Sequence, residues 1–273
     1  MRRLLFVLPL AALIIAACGD DDDGGASSTP AANGAERATE DRPDEVTGPQ
    51  VHLMYVLPSD GTDRRLDTDG TIARSFLSAQ QWLAGQTDGA AFRLDTFEGA
   101  PDVTFFTLSR TDREMEATDA FVRDEIEGEM RRAGFDARDK LYAVYYGGSS
   151  NYACGGGAYP PALEGTVAAL YLHGEPEGTT IRCGDNEFAP DVDSPVFWEF
   201  VVIHELLHTL GFVAECAPNE TFSGHITGPA NDLMYEGEED TDVPRALDPG
   251  HDDYYGHDDA DCLDLEDSRY LSR

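Results

Sequence analysis

His204-Glu205-Leu206-Leu207-His208 is the segment of this 273-residue sequence whose residue types and spacing can do chemistry. Side chains four apart on a helix share a face, so the two imidazoles can reach one ion. Zinc accepts imidazole nitrogen readily, and catalytic zinc sites keep a position open for water. Glu205 lies one residue on from His204. There it can take a proton from that water and return it to a leaving group, the work of a general base. The competing explanation is a buried helix with two satisfied histidines and a buried glutamate. Packing alone explains this poorly, because an unpaired buried carboxylate is expensive.

Extended to Gly211, the run His204-Glu205-Leu206-Leu207-His208-Thr209-Leu210-Gly211 resembles the first part of the metzincin signature, H-E-x-x-H-x-x-G-x-x-H/D. The order of elements over roughly residues 50–236 is also similar to the metzincin arrangement. The resemblance implies a Zn2+-dependent peptidase that uses Glu205 as base and His204 and His208 as metal ligands. It also implies a Met-turn, for which Asp232-Leu233-Met234-Tyr235 is the candidate, with Met234 beneath the metal. Tyr235 is a candidate oxyanion stabiliser, as tyrosines after the Met-turn are in some members; the alternative is that it only packs. The sequence departs from the family where the third ligand should fall, at Ala214, which cannot bind zinc. His225, in Ser223-Gly224-His225-Ile226, is the favoured replacement, delivered by an insertion. Glu215, Asp232, His251 and His257 are its rivals.

The helix that carries the motif opens at Ser194-Pro195, a favourable N-cap and first-turn pair, and is apolar almost all round, so it belongs in the interior. Gly211 suits a sharp C-terminal stop. Upstream, Val51–Leu57 reads as a strand and Thr71–Gln86 as an amphipathic helix with Ile72, Phe76, Ala79 and Leu83 on one side. Phe92–Phe97 and Val103–Leu108 read as short strands, and Asp119–Ala133 as a helix. Leu141–Tyr146, ended by Gly147-Gly148, and Thr166–Leu172 read as buried strands. The expected fold is α+β and metzincin-like: a mixed twisted sheet, two long helices, the active-site helix and an irregular C-terminal subdomain.

The ends and the charge bound the setting. Arg2-Arg3 followed by the apolar run Leu4–Ala17 reads as a secretory signal. Ile15-Ala16-Ala17-Cys18 resembles a bacterial lipobox, with Cys18 the lipidated residue. Residues 1–18 are therefore expected to be a lipoprotein signal, 19–48 a disordered acidic linker and 49–273 the peptidase domain. The cysteines left after Cys18 are Cys154, Cys183, Cys216 and Cys262. An even number in an exported chain suggests disulfides; of the possible pairings, sequence order favours Cys154–Cys183 and Cys216–Cys262. Acidic residues outnumber basic ones by 53 to 19, for a net charge of −34, and Lys140 is the sole lysine. Such a surface repels nucleic acid and anionic lipid and attracts cations or basic peptides. Glu236–Asp242 together with Asp248, Asp252, Asp253, Asp258, Asp259 and Asp261 match no known calcium loop. They read as a solvated acidic surface, with Ca2+ binding the alternative.

The sequence thus points to zinc-dependent hydrolysis of a protein or peptide substrate at the bacterial cell surface, with lipid anchoring the only membrane contact and no nucleic-acid partner. A non-catalytic zinc- or ligand-binding surface lipoprotein is the alternative. Glu205 argues against it, because a structural zinc has no use for a spare carboxylate.

Overall fold

The apolar run at Val51–Leu57 forms β1 (Gln50–Leu57), every residue of which is buried. It is followed by α1 (Thr71–Gln86) and the short strands β2 (Ala91–Phe92), β3 (Thr96–Phe97) and β4 (Ala100–Pro101). Then come β5 (Val103–Thr107), α2 (Asp112–Glu116), α3 (Val122–Arg132) and β6 (Lys140–Ser149). The last elements are β7 (Gly155–Gly156), β8 (Val167–His173), α4 (Phe197–Leu210) and β9 (Leu271–Ser272). These elements come from a computed structural model, which describes residues 37–221, 223–237 and 242–273. The signal and lipobox at 1–18 with Cys18, the linker up to residue 36, and residues 238–241 of the acidic tract lie outside the described residues.

The main sheet has the order β5-β1-β6-β8-β7. Its strands pair in parallel except β7, which runs antiparallel to β8, so the sheet is mixed. Side-chain alternation divides the core into two layers. Leu53, Tyr55, Ala143, Tyr145, Ala168 and Leu170 face α1 and α4. Met54, Val56, Tyr142, Val144, Val167 and Ala169 face α3. Helices on both faces explain why the strands read as unbroken apolar runs rather than alternating ones. After α4 the described residues hold only a 3-10 turn at Leu265–Asp267 and β9, the irregular C-terminal part expected. No helix among the described residues is long and apolar enough to cross a membrane.

Several boundaries differ from the sequence reading. The strand expected at Phe92–Phe97 is broken into β2, which pairs with the C-terminal β9, and β3, which doubles back on β4. Glu98 and Gly99 both have positive φ, the geometry of a tight hairpin, and this stops the strand. β6 does not end at Gly147-Gly148; pairing with β8 resumes at Ser149–His173 after a register shift. The helix expected over Asp119–Ala133 begins as a 3-10 turn and becomes α-helical at Val122. α2 lacks enough length to show a period, yet Thr111 and Glu114 form a reciprocal capping box there.

The largest departure concerns residues 37–48, assigned above to the disordered linker. They are held on the domain by charge. Arg37 pairs with Asp63 at 2.7 Å and Asp67 at 2.6 Å. Arg42 pairs with Asp102 at 2.5 Å. Lys140 receives Asp41 at 2.7 Å, Asp44 at 2.6 Å and Asp95 at 2.8 Å. Ala38 bridges to Thr104, so the segment extends the β5 edge of the sheet. Composition cannot reveal this, because the apolar burial that normally marks an ordered segment is replaced by ion pairs with residues far along the chain.

Lys140 and Asp95 are both buried, at 3% and 0% exposure. Burial works against the Lys140 charge, but the hydrogen bonds it donates to Asp41, Asp44 and Asp95 outweigh it and raise the ammonium above its usual range. Burial likewise pushes Asp95 up, but hydrogen bonds from His52 and Lys140 win and hold it below the usual carboxylate range. Lys140→Met leaves these carboxylates without a counter-charge and is expected to lower stability by about 3–5 kcal/mol, measured by urea unfolding. The depressed Asp95 contributes stability that is present above the unfolded carboxylate pKa of about 3.9 and disappears as pH falls through its lower folded value. The stability of the wild type should therefore decline below about pH 4, more steeply than that of the variant. Equal unfolding free energies for the two proteins at pH 7 would exclude this role.

Candidate metal centre

α4 lies in the interior, with Trp198, Val202, Ile203, Leu206 and Leu207 buried in the layer between the sheet and α1. Its start is two residues later than a cap at Ser194 suggests. Val196 is the N-cap, and Glu199 at the third helical position accepts its N–H at 3.0 Å. The same carboxylate accepts the Ala189 N–H at 3.2 Å and the Ser75 hydroxyl, so a fully buried charge is satisfied from three directions. Gly211 closes the helix in the left-handed conformation, φ 89°, and its N–H donates to the His208 carbonyl at 2.9 Å. Both ends of the motif helix are therefore fixed before any ligand is considered.

From this helix and the loop after it, three imidazoles converge. His204 Nε2 and His208 Nε2 are 3.0 Å apart, and each lies 3.2 Å from His225 Nε2. These separations are close to the ligand–ligand edge of about 3.3 Å expected for a tetrahedral ion with metal–nitrogen bonds of about 2.0–2.1 Å. The His204 tautomer is set from outside: its Nδ1 donates to the Leu233 carbonyl at 2.8 Å, leaving the Nε2 lone pair facing inward. His225 Nδ1 is 3.1 Å from the Ser223 hydroxyl. His208 Nδ1 is buried without a hydrogen-bond partner. Burial lowers all three rings, with repulsion from neighbouring imidazoles adding to it at His204 and His208: the His204 pKa falls to about 3, and His208 and His225 are lowered as well. Neutral, inward-facing imidazole nitrogen is the donor form a divalent metal requires. His204, His208 and His225 thus form a group that can hold a metal ion.

The rivals for the third position are not in this group. Glu215 is exposed. Asp232 accepts the Met234 N–H and the Tyr254 hydroxyl. His251 Nδ1 contacts the Tyr255 carbonyl, and His257 Nε2 the Leu263 carbonyl. Cys154 is bonded to Cys183 and Cys216 to Cys262. The second bridge ties the loop between α4 and His225 to the C-terminal segment.

Glu205 is buried, and burial raises its carboxyl to about 8 against a hydrogen bond from the Gly157 N–H and the charge of Arg123. The strand that reaches it is β7. A Cβ at Gly155 would strike the Glu205 carboxylate, and one at Gly157 would strike the backbone of α4. The glycine run is what lets an outer strand approach the motif helix so closely. Between them opens a cleft of about 320 Å³ lined by His204, Glu205, Phe197, Phe200, Leu233 and Tyr235, among others. Tyr235 is half-buried on that wall, and Met234 is fully buried in the apolar layer beneath.

Two contributors were not foreseen from sequence. The Leu233 carbonyl leaves no signature, because a backbone oxygen is the same in every residue. The Gly155-Gly156-Gly157 run is visible, but only packing against α4 gives it meaning. The acid-rich tail also needs correction: Asp248 and Asp253 are 1% and 2% exposed rather than solvated. Their oxygens accept N–H groups, so the proximity of Asp248, Asp252 and Asp253 reflects a hydrogen-bonded loop.

No protein-family model matches the chain, and no curated protein matches it. Among solved structures it is similar to wild type OgpA from Akkermansia muciniphila, with 16% identity and a TM-score of 0.41, over 81% of this chain and 62% of that one. The chain thus spans less than two thirds of that protein's length. At this level of similarity the likeness carries no conclusion about chemistry.

The geometry predicts that His225→Ala loses stoichiometric binding of added zinc while the other histidines stay in place. Calorimetric titration of the purified chain measures this, and wild-type affinity in the variant would move the third donor to another residue.

Proposed function

We propose that this chain is a zinc-dependent hydrolase of peptide bonds, of metzincin type. The observation that carries the reading is the convergence of the His204, His208 and His225 Nε2 atoms beside Glu205, on the wall of an open cleft. A zinc ion held by these imidazoles would supply Lewis-acid activation of a water and of the scissile carbonyl. The chain's own residues do the rest. Glu205 takes the proton of the attacking water on its carboxylate and delivers it to the leaving nitrogen as the carbon–nitrogen bond breaks. The Leu233 carbonyl keeps the His204 ring from rotating. Met234 gives the turn an apolar underside, and Tyr235 on the cleft wall is the proposed hydrogen-bond donor to the developing oxyanion.

A peptide substrate is supported by the shape of the cleft. β7 ends the sheet and flanks Glu205, so an extended chain can pair with its outer edge by backbone hydrogen bonds. Phe197, Phe200 and Leu233 then offer an apolar wall to a side chain. A purely structural zinc site would have no reason to keep an open cleft and a proton-transferring carboxylate at its side.

Glu205→Gln is expected to bind zinc as the wild type does and to lose turnover of a peptide library by about 10²–10⁴-fold. Unreduced turnover in a mass-spectrometric cleavage assay would remove the general-base assignment.

The proposed location is the outer face of the bacterial membrane, with Cys18 lipidated and the domain tethered by the residues that follow. Cys18→Ala should then move the protein from the membrane fraction to the soluble one. Membrane association that survives the substitution would rule out the lipid anchor.

A further inference from the structure

The acid-rich loop 248–255 is built around one carboxylate. Asp248 Oδ2 accepts the backbone N–H groups of Asp253 at 3.1 Å, Tyr254 at 2.8 Å and Tyr255 at 2.8 Å. The turn this creates sends Tyr254 into the interior, where it is completely buried. Its hydroxyl accepts the Asp248 N–H at 3.0 Å and donates to Asp232 Oδ1 at 2.9 Å. The same Asp232 oxygen accepts the Met234 N–H at 2.6 Å, closing a tight turn over the residue between them. That residue is Leu233, whose carbonyl holds His204 Nδ1. A path of hydrogen bonds, with the Asp232-Leu233 backbone as one link, therefore runs from Asp248 through Tyr254, Asp232 and Leu233 to a histidine of the metal centre.

A second arm leaves the same loop. Asp253 accepts the Asn219 backbone N–H at 2.9 Å and its side-chain Nδ2 at 3.0 Å. The Asn219 carbonyl accepts the Thr227 N–H at 3.0 Å, and Glu220 bridges to Ile226. The segment that carries His225 is thereby pinned at its base. Both arms end outside regular secondary structure, one on the turn at Leu233 and the other on the loop that carries His225.

We propose that the loop 248–255 is the positioning element of the metal centre, with Tyr254 and Asp253 its positioning residues. Tyr254 fixes the orientation of His204 through Asp232 and Leu233, and Asp253 fixes the approach of His225 through Asn219. Neither touches the metal or the substrate. The proposal rests on the metal half of the reading above and is independent of what the enzyme cleaves.

The test compares the purified wild-type chain with Tyr254→Phe, which keeps the ring and removes the hydroxyl. Zinc affinity is read by competition with a chromophoric chelator, and ligand geometry by the visible spectrum of the cobalt(II)-loaded protein. Loss of the Tyr254–Asp232 bond, one step beyond the partner of His204, should weaken zinc up to about 10-fold, the low end for outer partners of a ligand, and shift the cobalt bands. A residue that merely stabilises the fold would lower the melting temperature of the metal-free chain and leave the cobalt spectrum unchanged. Asp253→Ala removes both acceptors of the second arm, the one that holds the Asn219 N–H and the one that holds its Nδ2; it should cost zinc affinity several-fold. Wild-type zinc affinity and cobalt spectra in both variants overturn the proposal while leaving the metal reading intact. A wild-type chain that binds no zinc overturns the metal reading and this proposal with it.

Discussion

Three imidazole nitrogens that lie 3.0–3.2 Å from one another cannot satisfy one another. With the His204 proton held on Nδ1 by the Leu233 carbonyl, its Nε2 lone pair faces two other nitrogens, and at most some of these contacts can be hydrogen bonds. Bringing such groups together in a buried place is unfavourable unless the surrounding structure compels it or a shared cation occupies the centre. Much of the architecture serves this compulsion. α4 is capped at both ends and buried on its broad apolar side, the turn at Leu233 locks one ring, and the loop after Gly211 is tied down by Cys216–Cys262.

The same packing that concentrates the donors also leaves the site open. An outer strand of glycines lets the sheet approach Glu205 without filling the space in front of it. Larger residues at those positions would push β7 away and take the Gly157 N–H from the carboxylate. The cleft is thus a consequence of close backbone approach on one side and aromatic bulk, from Phe197 and Phe200, on the other.

The excess of acid plays two different parts. Many carboxylates are solvated and only add to the net charge. A smaller set is buried and structural: Glu199 caps the motif helix, Asp95 pairs with Lys140, and Asp248 gathers a loop of N–H groups. Each is affordable only because donors surround it, as a buried carboxylate demands. Formal charge does not distinguish the two sets, since it counts a surface aspartate and a buried one alike.

What the residues determine locally was legible in the sequence. The bounds of α1 and the run of β1 follow from periods of 3.6 and of unbroken apolarity, and the placement of His204, Glu205 and His208 follows from helical spacing alone. Gly211 marks its own helix end, because only a residue without a Cβ takes that φ freely. The rest depends on pairs far apart in the chain. The sequence could offer His225 against four rivals, but which of them meets His204 and His208 follows from how the loop after α4 folds back. Residues 37–48 look like linker because their stabilising partners, Asp63, Asp67, Asp102 and Lys140, lie elsewhere in the sequence. The Leu233 carbonyl and the Asp248 loop are backbone hydrogen-bond arrangements. Side-chain identity carries almost no information about such groups until tertiary structure decides which donor meets which acceptor.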